Sequence, residues 1–200
     1  MTDRQSSYTE NDLHFLPDQQ VAVNDFPARG LILDLGGGGE GVIGQLKSSQ
    51  VVAIDISRRE LQEAGPGPIQ LIMDGSLLGF REASFSTAAC FFSLMYIPVR
   101  LHQRVFQEIH RVLQPGGKLY FWDMTLPAQE NRDLDLPLVA FRLSVNLPGQ
   151  RIQTGYGTPW PSKKLGKEHY QTLAASCGLR IEHQQTSGMC FHIQWIKPQP

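Results

Sequence analysis

From Leu31 onward, short apolar runs alternate with longer segments in which apolar residues recur every three to four positions. Leu31–Leu35 (LILDL), Val51–Asp55 (VVAID), Ile69–Met73 (IQLIM), Thr87–Phe92 (TAACFF) and Lys118–Trp122 (KLYFW) are five such runs. Their length and near-continuous apolarity predict strands buried on both faces of a parallel sheet. Between the fourth and fifth, Val99–Leu113 sets Leu101, Val105, Ile109 and Leu113 at four-residue spacing, and Phe106 and Val112 widen the stripe. Arg100, Gln103, Arg104, Gln107, Glu108 and Arg111 take the other side, which predicts an amphipathic helix stopped by Pro115-Gly116-Gly117. Glu40–Leu46 and Arg58–Ala64 read as shorter helices. Lys167–Cys177 puts Tyr170, Leu173, Ala174 and Cys177 on one helix face, with Gly178 to cap it.

Two regions depart from this alternation. In residues 124–166 five prolines fall between Pro127 and Pro161, while Phe141, Leu143, Val145 and Leu147 alternate with polar residues up to the turn Leu147-Pro148-Gly149-Gln150. Ile152, Thr154 and Tyr156 alternate beyond it, so an inserted β-hairpin is predicted, whose edge is a candidate for pairing with its copy in a homodimer. At the C-terminus, Arg180–Gln184 and Phe191–Lys197 flank Thr186-Ser187-Gly188 and predict a closing antiparallel hairpin. Residues 1–29 are polar, show no strong period, and read as an arm or a lid over the site. The expected division is therefore an arm (1–29), a core (30–123), a substrate-side insertion (124–166), and a final helix and hairpin (167–200) of the same domain.

Composition narrows the function. Of 200 residues 41% are apolar and 18% charged, enough for a real core. A net charge of −1 disfavours a nucleic-acid partner held on a broad basic face. No run approaches the roughly 18 apolar residues of a membrane helix, and the N-terminus has no signal-like apolar stretch, so a cytoplasmic protein is expected. Cys90, Cys177 and Cys190 show no C-x-x-C spacing and the six histidines no H-x-x-x-H, so no metal site is expected.

The chemistry gathers at Leu33-Asp34-Leu35-Gly36-Gly37-Gly38-Gly39-Glu40-Gly41. A strand running into glycines and then a helix brings backbone close to a ligand. Gly36, Gly38 and Gly41 satisfy G-x-G-x-x-G, but Asp34 sits where an anionic pyrophosphate would not want a carboxylate, and suits an ammonium or sulfonium instead. Asp55 ends the second strand, 21 residues on, where an acceptor reaches both ribose hydroxyls. Asp74-Gly75 ends the third strand and can meet an adenine edge.

Asp34 with the glycine loop, Asp55, Asp74-Gly75 and the helix–Pro115-Gly116-Gly117–strand unit together resemble a class I S-adenosylmethionine-dependent methyltransferase, most closely the type-11 methyltransferase domain. The resemblance covers about residues 30–123 and, more loosely, the final helix and hairpin. It implies a three-layer, Rossmann-like α/β fold with a seven-stranded, mostly parallel sheet whose last strand is antiparallel, with the small hairpin inserted. It implies S-adenosyl-L-methionine as cofactor, S-adenosyl-L-homocysteine as product and a small-molecule acceptor. Carried over by position, Asp34, Gly36, Gly37 and Gly38 hold the methionine part, Asp55 the ribose, Ile56 the adenine face, Asp74 and Gly75 the adenine edge. Phe92 and Ser93 lie beside the transferable methyl. Glu40 departs from the pattern by standing at the third glycine position, so either the loop is one residue longer or Glu40 caps the next helix. Tyr96 and Asp123 are catalytic candidates, and Arg142, Tyr156 and Trp160 substrate-wall candidates. Two other readings stay open. One is an adenosine-ligand binder without turnover. The other is an NAD-dependent oxidoreductase, whose short-chain form would need the Tyr-x-x-x-Lys this sequence lacks.

Overall fold

A computed structural model of the chain describes residues 13–129 and 136–199. Its main sheet has seven strands: β3 (Ile32–Leu35), β4 (Val51–Asp55), β5 (Ile69–Ile72), β6 (Phe85–Phe91), β7 (Leu113–Met124), β10 (Arg180–Ser187) and β11 (Cys190–Ile196). Their order is β10-β11-β7-β6-β3-β4-β5, with β7 through β5 mutually parallel and β11 antiparallel to both its neighbours. This is the expected topology, and all four residues of β3 are buried, as a central parallel strand requires.

Helices α1 (Val42–Lys47) and α2 (Arg58–Glu63) connect strands stepping one way from β3, and α3 (Val99–Val112) connects β6 to β7 stepping the other way. Right-handed crossovers therefore place α1 and α2 on one face and α3 on the opposite one. There α3 packs beside α4 (Lys167–Ser176), where Phe106 and Tyr170 meet Phe121 of β7. The chain reverses its stepping direction between β3 and β6. The crevice at the carboxyl ends of these two strands is where an open α/β sheet takes its ligand.

Two expectations need correction. Pro115-Gly116-Gly117 does not stop α3: the helix ends at Val112, β7 is already paired at Leu113, and the glycines form a bend inside the strand. Gly116 has φ 77° and its N–H donates to Lys197 O at 2.7 Å. The second concerns the arm. Residues 1–12 lie outside the described residues, but β1 (Leu13–Phe15) and β2 (Gln19–Ala22) run parallel to β8 (Leu138–Leu147), which pairs on its other edge with β9 (Gln150–Pro159). The inserted hairpin is thus the centre of a second, four-stranded sheet. The β8 edge of that hairpin is taken by this chain's own arm. Strands of three and four residues are too short to display a period, which is why 13–22 shows none. Buried Gln19 fastens the arm by accepting the Met189 N–H at 2.9 Å, and one apolar core runs through both sheets.

Candidate functional site

A cavity of about 740 Å³ opens at the carboxyl ends of β3, β4, β5 and β6, roofed by β9. That is within the range of small-molecule sites. Asp34, Gly36, Gly37, Gly38, Asp55, Ile56, Asp74, Gly75, Phe92, Ser93, Tyr96 and Tyr156 all line it. Residues from Asp34 to Ser93 meet on one wall because successive parallel strands end side by side, and β9 of the second sheet brings Tyr156 over them.

Asp34 is 2% exposed, and its Oδ1 has no hydrogen-bond partner in the protein. Burial first, and the nearby Asp55 charge second, push its carboxyl up to about 7. The glycine loop is shaped around it: the Gly36 and Gly37 N–H groups donate to Ile54 O at 2.8 and 3.0 Å, Gly39 N–H to Glu60 O at 2.9 Å, and Gly41 N–H to Gly38 O at 3.2 Å. These four amides are spent on the protein itself. A phosphate cradle would turn its amides toward the ligand.

Asp55 accepts the Ser57 N–H on Oδ1 at 2.8 Å, while Oδ2 lies beside Gly38, where a Cβ would come within 2.9 Å. The cap of α2 is Ser57, whose Oγ accepts the Glu60 N–H, so Asp55 is not the helix cap. Ile56 is 75% exposed at the cavity, an apolar face available to a ligand. Asp74 is exposed and accepts both the N–H and the hydroxyl of Ser76 at 2.8 Å through Oδ1. Gly75 packs against Leu35.

At the end of β6, Ser93 donates its hydroxyl proton to Leu35 O at 2.7 Å, so the contact with Cys90 Sγ at 2.9 Å takes its proton from the thiol. Phe92 adopts φ 50°, a left-handed conformation costing a bulky residue on the order of 1–3 kcal/mol. That turn carries its ring under the roof, stacked on Tyr156 at 5.5 Å and 14°. Tyr96 follows on a short turn and is 51% exposed. The turn is held by two long ties. Thr158 Oγ1 donates to Met95 O at 2.8 Å. His102, fully buried on α3, lies 3.1 and 2.8 Å from Leu94 O and Ile97 O through Nε2. With Nε2–H donating, its Nδ1 accepts from His169 Nε2 at 3.0 Å.

Three candidates lie off the cavity. Asp123 is fully buried on β7, accepts the Met124 N–H at 2.8 Å and faces the Tyr170 phenol, with burial raising its carboxyl to about 7. Arg142 is exposed on β8 and absent from the wall. Trp160 stacks on His14 at 4.3 Å and donates Nε1–H to Pro127 O at 3.1 Å, so it pins the arm. In exchange the wall holds Glu60 and Glu63 of α2, missed because an acidic helix face reads as solvated, together with the apolar Met73, Ile97 and Leu101. Glu40 is not the cap of α1: it stands in the turn closed by the Gly41 N–H and Gly38 O. The cap of α1 is Gly41 at φ 55°, and the Glu40 carboxylate reaches across to β9, accepting from Thr154 Oγ1 and, at 3.2 Å, from Tyr156 Oη.

Residues 33–121, the stretch that builds this cavity's floor, match the family model described as a methyltransferase domain. The match spans less than half of the chain, and this chain is similar there to a methyltransferase domain. Over 137 residues it is 30% identical to the ubiquinone/menaquinone biosynthesis C-methyltransferase UbiE of Desulfotalea psychrophila, covering 64% of this chain and 54% of that protein. Over 128 residues it is 27% identical to the sterol 4-C-methyltransferase strm-1 of Caenorhabditis elegans, covering 62% of this chain and 28% of that protein. The chain therefore spans about half, or less, of the length of these curated relatives. A solved SAM-dependent methyltransferase of Methanosarcina mazei shares the fold of this domain at a TM-score of 0.61 and 19% identity, covering 88% of this chain and 95% of that one.

Proposed function

We propose that this chain is an S-adenosylmethionine-dependent methyltransferase acting on a small-molecule acceptor. The observation that carries the reading is the unpartnered Oδ1 of buried Asp34 at the glycine loop. A buried carboxylate without a donor is costly, and the cost is removed by a ligand bringing an ammonium group to it. The residues fit S-adenosylmethionine: Asp34 and Gly36 to Gly38 take the methionine part, Asp55 the ribose, Ile56 the adenine face, and Asp74 with Gly75 the adenine edge. Phe92 and Ser93 stand beside the methionine end. When bound, the cofactor supplies a methyl group activated on a sulfonium centre.

The chain's own work is then placement and exclusion of water. Tyr96 and Tyr156, the latter backed by the buried Phe92 ring, wall the cavity with aromatic surface, which suits a positive charge and keeps solvent from the reacting atoms. Burial and the Glu40 carboxylate hold the Tyr156 phenol protonated, so it serves as a donor and a wall rather than a base.

Titrating the purified chain in parallel with S-adenosylhomocysteine and NADH tests the reading. Binding of the first in the micromolar range and none of the second is expected. The reverse would make the glycine loop a dinucleotide site.

A further inference from the structure

Glu40 stands where the resemblance places a third glycine, and its side chain leaves the loop to meet β9. Thr154 and Tyr156 both donate to its carboxylate. Tyr156 stacks on Phe92, and Tyr96 lies across from it at 6.4 Å between ring centroids, tilted by 48°. Glu40, Phe92, Tyr96 and Tyr156 all line the same cavity. A carboxylate set among aromatic faces is the chemistry that receives an organic cation.

The rest of the wall carries the same sign. Asp34, Glu40, Asp55, Glu60, Glu63 and Asp74 line the cavity, and among the described residues no lysine, arginine or histidine does. An acceptor bearing a carboxylate, phosphate or thiolate would enter this field with nothing to pair it, which costs affinity and slows approach. An ammonium group enters with the field. Three of these carboxylates already have work in the proposed cofactor site: Asp34, Asp55 and Asp74. Glu40 faces the roof, on the acceptor side.

We propose that the acceptor is a small amine, drawn in as its ammonium form and held at Glu40 against the rings of Tyr96 and Tyr156, with Glu40 as the specificity-determining residue. The proposal rests on the methyltransferase reading above. It needs no further reactant. The ammonium sheds one proton to solvent, and the nitrogen lone pair forms the N–C bond as the S–C bond breaks. Sulfur keeps that electron pair, and the product carries the positive charge on nitrogen.

The test uses the full chain saturated with S-adenosylhomocysteine and three probes of similar shape: phenethylamine, 2-phenylethanol and 3-phenylpropionate. The amine is expected to bind at least tenfold more tightly than the alcohol, with the carboxylate weakest and added salt weakening the amine. Glu40→Gln keeps an acceptor for Thr154 and Tyr156 but loses the charge. It should cost about tenfold in amine affinity and leave S-adenosylhomocysteine affinity within threefold, which also reports an intact fold. Tyr156→Phe keeps the ring and should retain most amine binding. Equal binding of the three probes, a preference for the alcohol or carboxylate, no binding of the amine, or an amine affinity unchanged by Glu40→Gln would each overturn the proposal. Failure of S-adenosylhomocysteine to bind the unmodified chain is a separate result, and it removes the methyltransferase reading together with the amine.

Discussion

A Cβ built on Gly37 would lie 2.5 Å from Oδ2 of Asp34. Gly37 thus leaves room for the buried Asp34 carboxylate. Gly37→Ala must displace Asp34 or Ala53, whose Cβ would be 2.9 Å off. Overpacking of this kind costs about 1–3 kcal/mol. Thermal unfolding should show that loss, and titration should show S-adenosylhomocysteine binding weakened tenfold or more. Unchanged affinity would mean that Asp34 is not a ligand-facing group.

Asp55 separates two jobs, one per oxygen. Asp55→Asn retains an acceptor for the Ser57 N–H, whereas Asp55→Ala loses it. Both should weaken S-adenosylhomocysteine at least tenfold, and only the alanine variant should also lower the melting temperature. Full affinity in Asp55→Asn would show that the second oxygen does not hold the ribose.

Trp160 belongs to the arm rather than the cavity. Trp160→Ala removes its stack on His14 and its bond to Pro127, so it should cost about 1–3 kcal/mol of stability and expose residues before Val21 to proteolysis. Cofactor affinity should change less than threefold.

The two buried carboxyls set a pH dependence. Asp34 and Asp123 are both raised from 3.8 to about 7, so between these values the folded state holds protons that the unfolded state has shed. Their contribution to stability is complete below about pH 4 and is lost as pH rises to 7, by up to roughly 1.4 kcal/mol per unit for each group. Asp123→Asn should flatten that decline and raise the stability of the ligand-free protein at pH 8, with S-adenosylhomocysteine affinity unchanged. Asp34 should keep its own share of the decline in that variant, and a decline undiminished from the unmodified protein would place the second titrating group elsewhere.

The sheet was legible because buried parallel strands and one strongly amphipathic helix write their periods into the chain, as Ile32–Leu35 and Val99–Val112 do. The glycine loop, with Asp34 before it and Asp55 and Asp74 after it, was legible as an ordered set. What escaped notice depends on contacts between segments far apart in sequence. Gln19 finds Met189 across 170 positions, and Glu40 finds Tyr156 across 116. Local pattern carries no trace of either. Asp123 misled because a strand-end aspartate looks alike whether it faces a crevice or, as here, the covered side of the sheet beside Tyr170.

The central claim is that the Asp34 carboxylate receives the cofactor's ammonium group. Calorimetric titration of the unmodified chain and of Asp34→Asn with S-adenosylhomocysteine, at pH 6 and pH 8, tests it most directly. The account predicts micromolar binding that is tighter at pH 8, release of up to about one proton near pH 6, and a loss of at least a hundredfold in the variant. Equal affinity for the two proteins, or affinity that rises as the pH falls, would contradict it.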